Sequence, residues 1–155
     1  MVRDKAEGVP AIERLIDPAP GYFDALVAES ERAGYRFVRR LAEEWTSGAN
    51  RFDRPGEALF VALIDGRMIG ICGLNVDPYT TTAGVGRVRH LYVLVAYRRL
   101  GIGRQLVDRV VEAARGRFDR LRLSTQNPAA ARLYERLGFD RRAGATDHTH
   151  LLELH

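Results

Sequence analysis

His90-Leu91-Tyr92-Val93-Leu94-Val95-Ala96-Tyr97-Arg98-Arg99-Leu100-Gly101-Ile102-Gly103-Arg104-Gln105-Leu106-Val107 is the stretch on which the reading of this chain turns. Its first half is β-branched and aromatic, a composition that suits a packed strand. A helix begins inside the run Arg98–Arg104. Glycines at a helix start let the backbone approach a ligand closely. The free N–H groups and the helix dipole there favour an anion. Arg98, Arg99 and Arg104 add fork-shaped donors suited to phosphate. The segment reads as a cradle for a pyrophosphate. Gly-Ile-Gly alone is a weak signal, because a tight strand-to-helix turn also needs glycine. The full dinucleotide fingerprint requires a third glycine, and Leu106 stands in its place.

Outward from this turn, the pattern predicts strand, helix, helix, three strands, helix, strand, helix, strand. The strands are expected near residues 8–16, Ala58–Ile64, Arg67–Asp77, Val85–Val95, Leu121–Thr125 and His148–Leu154. Tyr22–Ala33 and Tyr35–Trp45 read as amphipathic helices, with Leu26, Phe37, Val38, Leu41 and Trp45 at roughly helical spacing. Gly101–Arg115 and Pro128–Leu137 supply two more, the second stopped by Gly138. Asp65-Gly66 signals a two-residue hairpin. The strand–helix–strand over residues 85–125 predicts a parallel pair with a right-handed crossover. The expectation is a mixed, mostly antiparallel α/β (α+β) sheet of six to seven strands flanked by about four helices.

Composition narrows the function. The 155 residues suit one domain over residues 1–155, and 46% hydrophobic residues can build a substantial core. The longest apolar stretches, Ala58–Ile64 and Leu91–Tyr97, hold seven residues each, against the roughly 20 of a membrane-spanning helix. The first ten residues lack an apolar segment of signal-peptide type, so a cytoplasmic location is expected. Cys72 is the only cysteine, which excludes an internal disulfide and thiolate zinc clusters. Lys5 is the only lysine, which excludes a P-loop. None of Ser30, Ser47 and Ser124 sits in Gly-x-Ser-x-Gly. The net charge of +4 comes with interspersed carboxylates, and an anionic small ligand explains it with less than a nucleic-acid surface. Neither a nucleic-acid nor a membrane partner is expected.

Arg98-x-x-Gly101-x-Gly103 resembles the [Gln/Arg]-x-x-Gly-x-[Gly/Ala] signature of the GNAT N-acetyltransferase superfamily, and Leu91-Tyr92-Val93 looks like its fourth strand. A second block, Leu123-Ser124-Thr125-Gln126-Asn127-Pro128-Ala129-Ala130-Ala131-Arg132-Leu133-Tyr134-Glu135-Arg136-Leu137-Gly138-Phe139, is similar to its fifth strand and following helix. The likeness covers roughly residues 58–155 well, and the first 57 residues only by element order.

The resemblance implies an acetyl-CoA-dependent transferase that acts on the amine of a small molecule or peptide by direct attack. It implies cofactor contacts from Leu91, Tyr92, Val93, Arg98, Arg99, Leu100, Gly101, Ile102, Gly103, Arg104 and Asn127. The strands at 85–95 and 121–125 would splay to admit the pantetheine arm. A bulge near Leu94-Val95 would free backbone groups, and an N–H near Val93 would polarise the thioester carbonyl. Tyr134 would donate a proton to the leaving thiolate. Asn127 would hold the cofactor, although Asn before Pro128 also reads as an N-cap. Homodimers are common among the proteins it resembles, so a homodimer is an expectation.

One position departs from the pattern. Many relatives carry a glutamate six residues before the Val93 position, and this chain has Arg87, which accepts no proton at neutral pH. His90 is the leading candidate for the missing base, with Asp77 and His148 behind it. Arg87 and Arg89 share one strand face, which suggests an acceptor bearing carboxylate or phosphate. His148, His150 and His155 could suggest a metal, but the first two simply alternate along an expected strand, so no metal is expected. The competing readings are a non-catalytic acyl-CoA-binding module and an arginine-rich nucleic-acid binder. Loss of turnover on Tyr134→Phe would separate a catalyst from the former. A steep salt dependence would mark the latter.

Overall fold

The computed structural model describes residues 8–154. One seven-stranded sheet runs in the order β1-β2-β3-β4-β5-β7-β6. Its strands are β1 (Ala11–Arg14), β2 (Ala58–Ile64), β3 (Arg67–Val76), β4 (Val85–Val93), β5 (Arg120–Leu123), β6 (Asp140–Arg141) and β7 (His150–Glu153). Only β4 and β5 are parallel; every other neighbouring pair is antiparallel. The helices are α1 (Asp24–Arg32), α2 (Phe37–Ser47), α3 (Ile102–Ala114) and α4 (Pro128–Arg136). The expected mixed, mostly antiparallel sheet with four helices is the one observed.

Alternation along the strands divides the core in two. Phe60, Ala62, Cys72, Leu74, Val88, Val93, Leu121 and Leu123 pack with Ile102, Leu106, Val107 and Val110 of α3 and Tyr134 of α4. Leu59, Val61, Met68, Ile71 and Tyr92 face Leu26 of α1 and Val38 and Leu41 of α2. That second layer contains no residue of β5 or β7, so α1 and α2 leave that end of the sheet uncovered. Cys72 is fully buried, and burial pushes its thiol pKa well up.

The Asp65-Gly66 turn has positive φ at both residues, 51° and 78°, the type I′ geometry that matches strand twist.

Three local expectations need correction. The strand expected over Val85–Val95 ends at Val93, because Val95–Tyr97 closes into a 3-10 turn. The bulge expected near Leu94-Val95 lies at His90-Leu91 instead. There the β3–β4 register steps from Gly73 opposite Arg89 to Ile71 opposite Tyr92, and His90 takes the left-handed φ of 64°. The final strand starts at His150 rather than His148, and the two-residue β6 has too little sequence to show periodicity.

Candidate functional site

The parallel pairing of β4 with β5 lasts only three rungs, Val85–Arg120, Gly86–Leu121 and Arg87–Arg122. Beyond Arg87 the strands part, and β5 continues on β7 alone. A slot therefore opens in the middle of the sheet. Leu94 N–H bonds to the Ile69 carbonyl (2.9 Å), and Tyr92 is the register partner of Ile71. Strand alternation then directs the N–H and C=O of Val93 away from β3, toward the slot. Its carbonyl accepts a hydrogen bond from Arg98 Nε at 2.7 Å, and the Arg98 guanidinium lies 5.1 Å from the Tyr92 ring centroid. Arg98 is thus a brace on β4.

Helix α3 begins at the mouth of this slot. Its N-cap, Gly101, has φ 82° and provides no side-chain cap, and Arg99 before it has φ 66°. The first main-chain bond runs from Gln105 N–H to the Gly101 carbonyl, 3.0 Å. The N–H groups of Ile102, Gly103 and Arg104 precede it and have no acceptor within the helix. Successive amides in a turn with left-handed residues make a concavity for anions. The Arg99 and Arg104 residues beside it are exposed, and Arg104 reaches only Asp108 at 4.0 Å. Leu100 is exposed. An added Cβ on Gly103 would stand 3.5 Å from Leu133 Cδ2 and 4.0 Å from Val93 Cγ2. Gly103 thus sits between α3, α4 and the end of β4.

Across the slot, Asn127 Oδ1 accepts from Ala129 N–H (2.8 Å) and Ala130 N–H (3.2 Å), with Pro128 next in chain. The N-cap role is therefore real. Its Nδ2 makes no hydrogen bond among the described residues, which leaves a donor for a ligand. Tyr134 follows on α4, 5% exposed and edge-on to Phe139 with centroids 5.5 Å apart. Burial pushes its hydroxyl well above 10, so it holds its proton at neutral pH.

Glu29 of α1 is a site residue that the sequence did not mark. One carboxylate oxygen accepts from Tyr92 hydroxyl (2.6 Å) and Val95 N–H (3.0 Å). Burial, then this carboxylate, push the Tyr92 hydroxyl up to about 12. The pair ties α1 to the end of β4. A glutamate on an amphipathic helix carries no local signal of a partner 63 residues away.

His90 stacks on Phe37 and meets Phe52 edge-on, each with centroids 6.2 Å away. Its Nε2 is buried without a hydrogen-bond partner. Burial, then the charges of Arg89 and Arg40, lower its pKa to about 3. Such an imidazole does not suit the proton-accepting role expected from sequence. The expected NMR result is constant His90 ring shifts from pH 8 to pH 5, where an ordinary histidine titrates near 6.5. Stability should fall as pH drops from about 6.5 toward about 3, because only the unfolded chain binds that proton there. A ring titrating above pH 5.5 would contradict this packing.

Arg87 does not lie free for a ligand. Its guanidinium approaches Asp77 (3.4 Å), donates to Ser124 Oγ (2.9 Å) and the Asp147 carbonyl (2.8 Å), and covers the Tyr79 ring at 4.5 Å. Arg122 Nε approaches the same Asp77 carboxylate at 3.3 Å. Arg89 is half-buried and reaches Asn75 Oδ1 at 3.4 Å. His148 Nδ1 contacts Asp147 Oδ1 at 2.7 Å, and His150 contacts Glu135 at 2.8 Å. His155 lies outside the described residues. Among those described, no group of three or more His, Cys, Asp or Glu is arranged to hold a metal. No helix there is long and apolar enough to cross a membrane.

Residues 21–139 match the model of the acetyltransferase (GNAT) family. The chain belongs to that family. It is similar to a crystal structure from Exiguobacterium sp. 255-15 that bears the provisional name acetyltransferase, with 31% identity over 94% of each chain and a TM-score of 0.82. A GNAT-family acetyltransferase from Streptococcus pneumoniae shares the fold at 19% identity, over 95% of this chain and all of that one, with a TM-score of 0.68. Among curated proteins, "Probable N-acetyltransferase camello" of Xenopus tropicalis is 39% identical over 83 residues. That match spans 52% of this chain and 37% of the Xenopus protein, so the chain covers little more than a third of that relative.

The donor of this family is acetyl-CoA, and the residues present fit it. The uncapped amides at Ile102–Arg104 match a pyrophosphate, and the slot along Val93 offers strand-like backbone pairing to a pantetheine amide.

Proposed function

We propose that this chain transfers the acetyl group of acetyl-CoA to the primary amine of a small molecule or peptide, by direct attack within a ternary complex. The observation that carries the reading is the uncapped start of α3 at the mouth of a slot that has Val93 N–H on one side and Tyr134 on the other. The amides of Ile102, Gly103 and Arg104, with Arg99 and Arg104, hold the pyrophosphate. Leu91 through Val93 pair with the pantetheine arm as an added strand would. The Val93 N–H donates to the thioester carbonyl as its oxygen gains charge. The amine nitrogen forms the new bond to the acetyl carbon, the carbon–sulfur bond breaks, and Tyr134 gives its proton to the sulfur. The amine gives up one proton to solvent, and Tyr134 regains its own. Leu100 and Asn127 flank the bound cofactor, and Arg98 and Glu29 hold the end of β4 in place.

The same reading keeps the expected single domain, cytoplasmic location and homodimer, and includes no nucleic-acid or membrane partner. Mixing the protein with acetyl-CoA and a panel of primary amines should release free coenzyme A thiol in an amine-dependent way. Tight acetyl-CoA binding with no thiol release from any amine would instead support a non-catalytic acyl-CoA-binding module.

A further inference from the structure

The end of the sheet that α1 and α2 leave uncovered is of mixed character, with Val85 and Leu151 beside a group of arginines. An open cavity of about 340 Å³ lies there, lined by Arg120 and Arg122 of β5, Arg142 and His148 of the segment between α4 and β7, and Thr82 of the β3–β4 loop. The sequence puts these cations on one face because Arg120 and Arg122 stand two apart on a strand. Arg122 is also the register partner of Arg87, the last rung before the slot opens.

The local charges do not cancel. Arg87, Arg120, Arg122 and Arg142 face three carboxylates, those of Asp77, Asp147 and Glu153. Arg120 pairs with Glu153 (3.3 Å), and Arg122 lies against Asp77 (3.3 Å) and Asp147 (2.5 Å). Nε and Nη2 of Arg122 are buried against these two carboxylates. The Arg142 side chain is exposed and has no ion pair or hydrogen bond among the described residues. Asp147 is held well below the usual carboxylate range, at about 2, by its hydrogen bonds to His148 and then Arg122. It therefore stays an acceptor, and the Nδ1 of His148 is engaged with it. An exposed guanidinium with free planar donors, beside three ion-paired ones, is the chemistry that takes a carboxylate or a phosphate.

We propose that this cavity is an anion-binding subsite that receives the acid group of the acceptor, so that the amine to be acetylated belongs to a carboxylate- or phosphate-bearing molecule. The proposal rests on the acetyltransferase reading, and it moves the anion contact from Arg87, whose donors are committed internally, to Arg142, with the ion-paired Arg120 and Arg122 adding positive charge beside it. The Arg87 bridge to Ser124 and Asp147 joins the cavity to the closed end of the slot.

Two measurements test it. In the first, α-amino acids are compared as acceptors with their amides, in wild type and Arg142→Gln. The acid should exceed the amide at least tenfold in kcat/KM, and Arg142→Gln should erase that preference through KM with kcat little changed. Arg142→Lys should restore part of it. Equal use of acid and amide, or a preference that survives Arg142→Gln, overturns the proposal. The second needs no turnover: calorimetry with succinate and with inorganic phosphate. Either anion should bind wild type and lose about tenfold or more in affinity in Arg142→Gln, as for a lost charged hydrogen bond. Absence of heat with both anions overturns the subsite. Anion binding that weakens in Arg142→Gln, in a protein that acetylates no amine, keeps the subsite and removes the enzyme reading, whereas binding unchanged in Arg142→Gln belongs to the start of α3 and overturns the subsite.

Discussion

Replacing Tyr134 by phenylalanine should lower kcat for acetyl transfer about a hundredfold while leaving acetyl-CoA affinity within about twofold. The hydroxyl is the only atom lost. It makes no hydrogen bond among the described residues, so its removal strands no buried partner. The ring keeps its edge contact with Phe139 and its place in the core. Folding stability should accordingly be unchanged, which separates this variant from a packing defect. Burial holds the phenol protonated well beyond its ordinary pKa. Wild-type activity should therefore show no alkaline decline from this group below pH 10. Turnover of the variant within threefold of wild type would remove Tyr134 from the chemistry.

The largest stability effect is expected at Asp77. Its side chain is fully buried and faces both Arg87 and Arg122. It also accepts the Tyr79 N–H at 2.9 Å. Alanine there leaves two guanidinium groups buried beside each other. Breaking a buried pair from one side costs about 3–5 kcal/mol, because the surviving charge keeps its desolvation penalty. For a chain of this size that is a drop in Tm of about 10 °C. Adding Arg87→Met to Asp77→Ala should recover part of the loss, since one orphaned charge leaves with it. The exposed Glu31–Arg39 pair serves as a control: Glu31→Ala should leave Tm almost unchanged, as solvent screens such contacts. A Tm shift under 3 °C for Asp77→Ala would mean that water reaches the cluster.

Much of this was legible in the sequence because the decisive features are local. Glycine at 101, the arginines around it and the Asp65-Gly66 hairpin each state their geometry within a few residues. The parallel β4–β5 pair followed from the strand–helix–strand order. The bulge was misplaced because its cause is a left-handed His90 opposite Cys72, a cross-strand event with no glycine to announce it. The Glu29–Tyr92 brace and the Asp77–Arg122 contact were invisible for the same reason: each joins elements far apart in the chain. Arg87 could be named as a departure, but its engagement by Asp77 depends on register. The sequence pattern put an acceptor's anion at Arg87 and Arg89, whereas the cavity gathers Arg120, Arg122 and Arg142, which pattern alone cannot assemble.

Cys72 carries the chain's single sulfhydryl, and it is sealed under α3 with its ionisation suppressed. Disulfide chromogens react with thiolates, so the folded polypeptide contributes no background colour, and any signal counts released coenzyme A. Once the chain denatures, the same dye gains one equivalent per molecule and becomes a gauge of how much protein has lost its native structure.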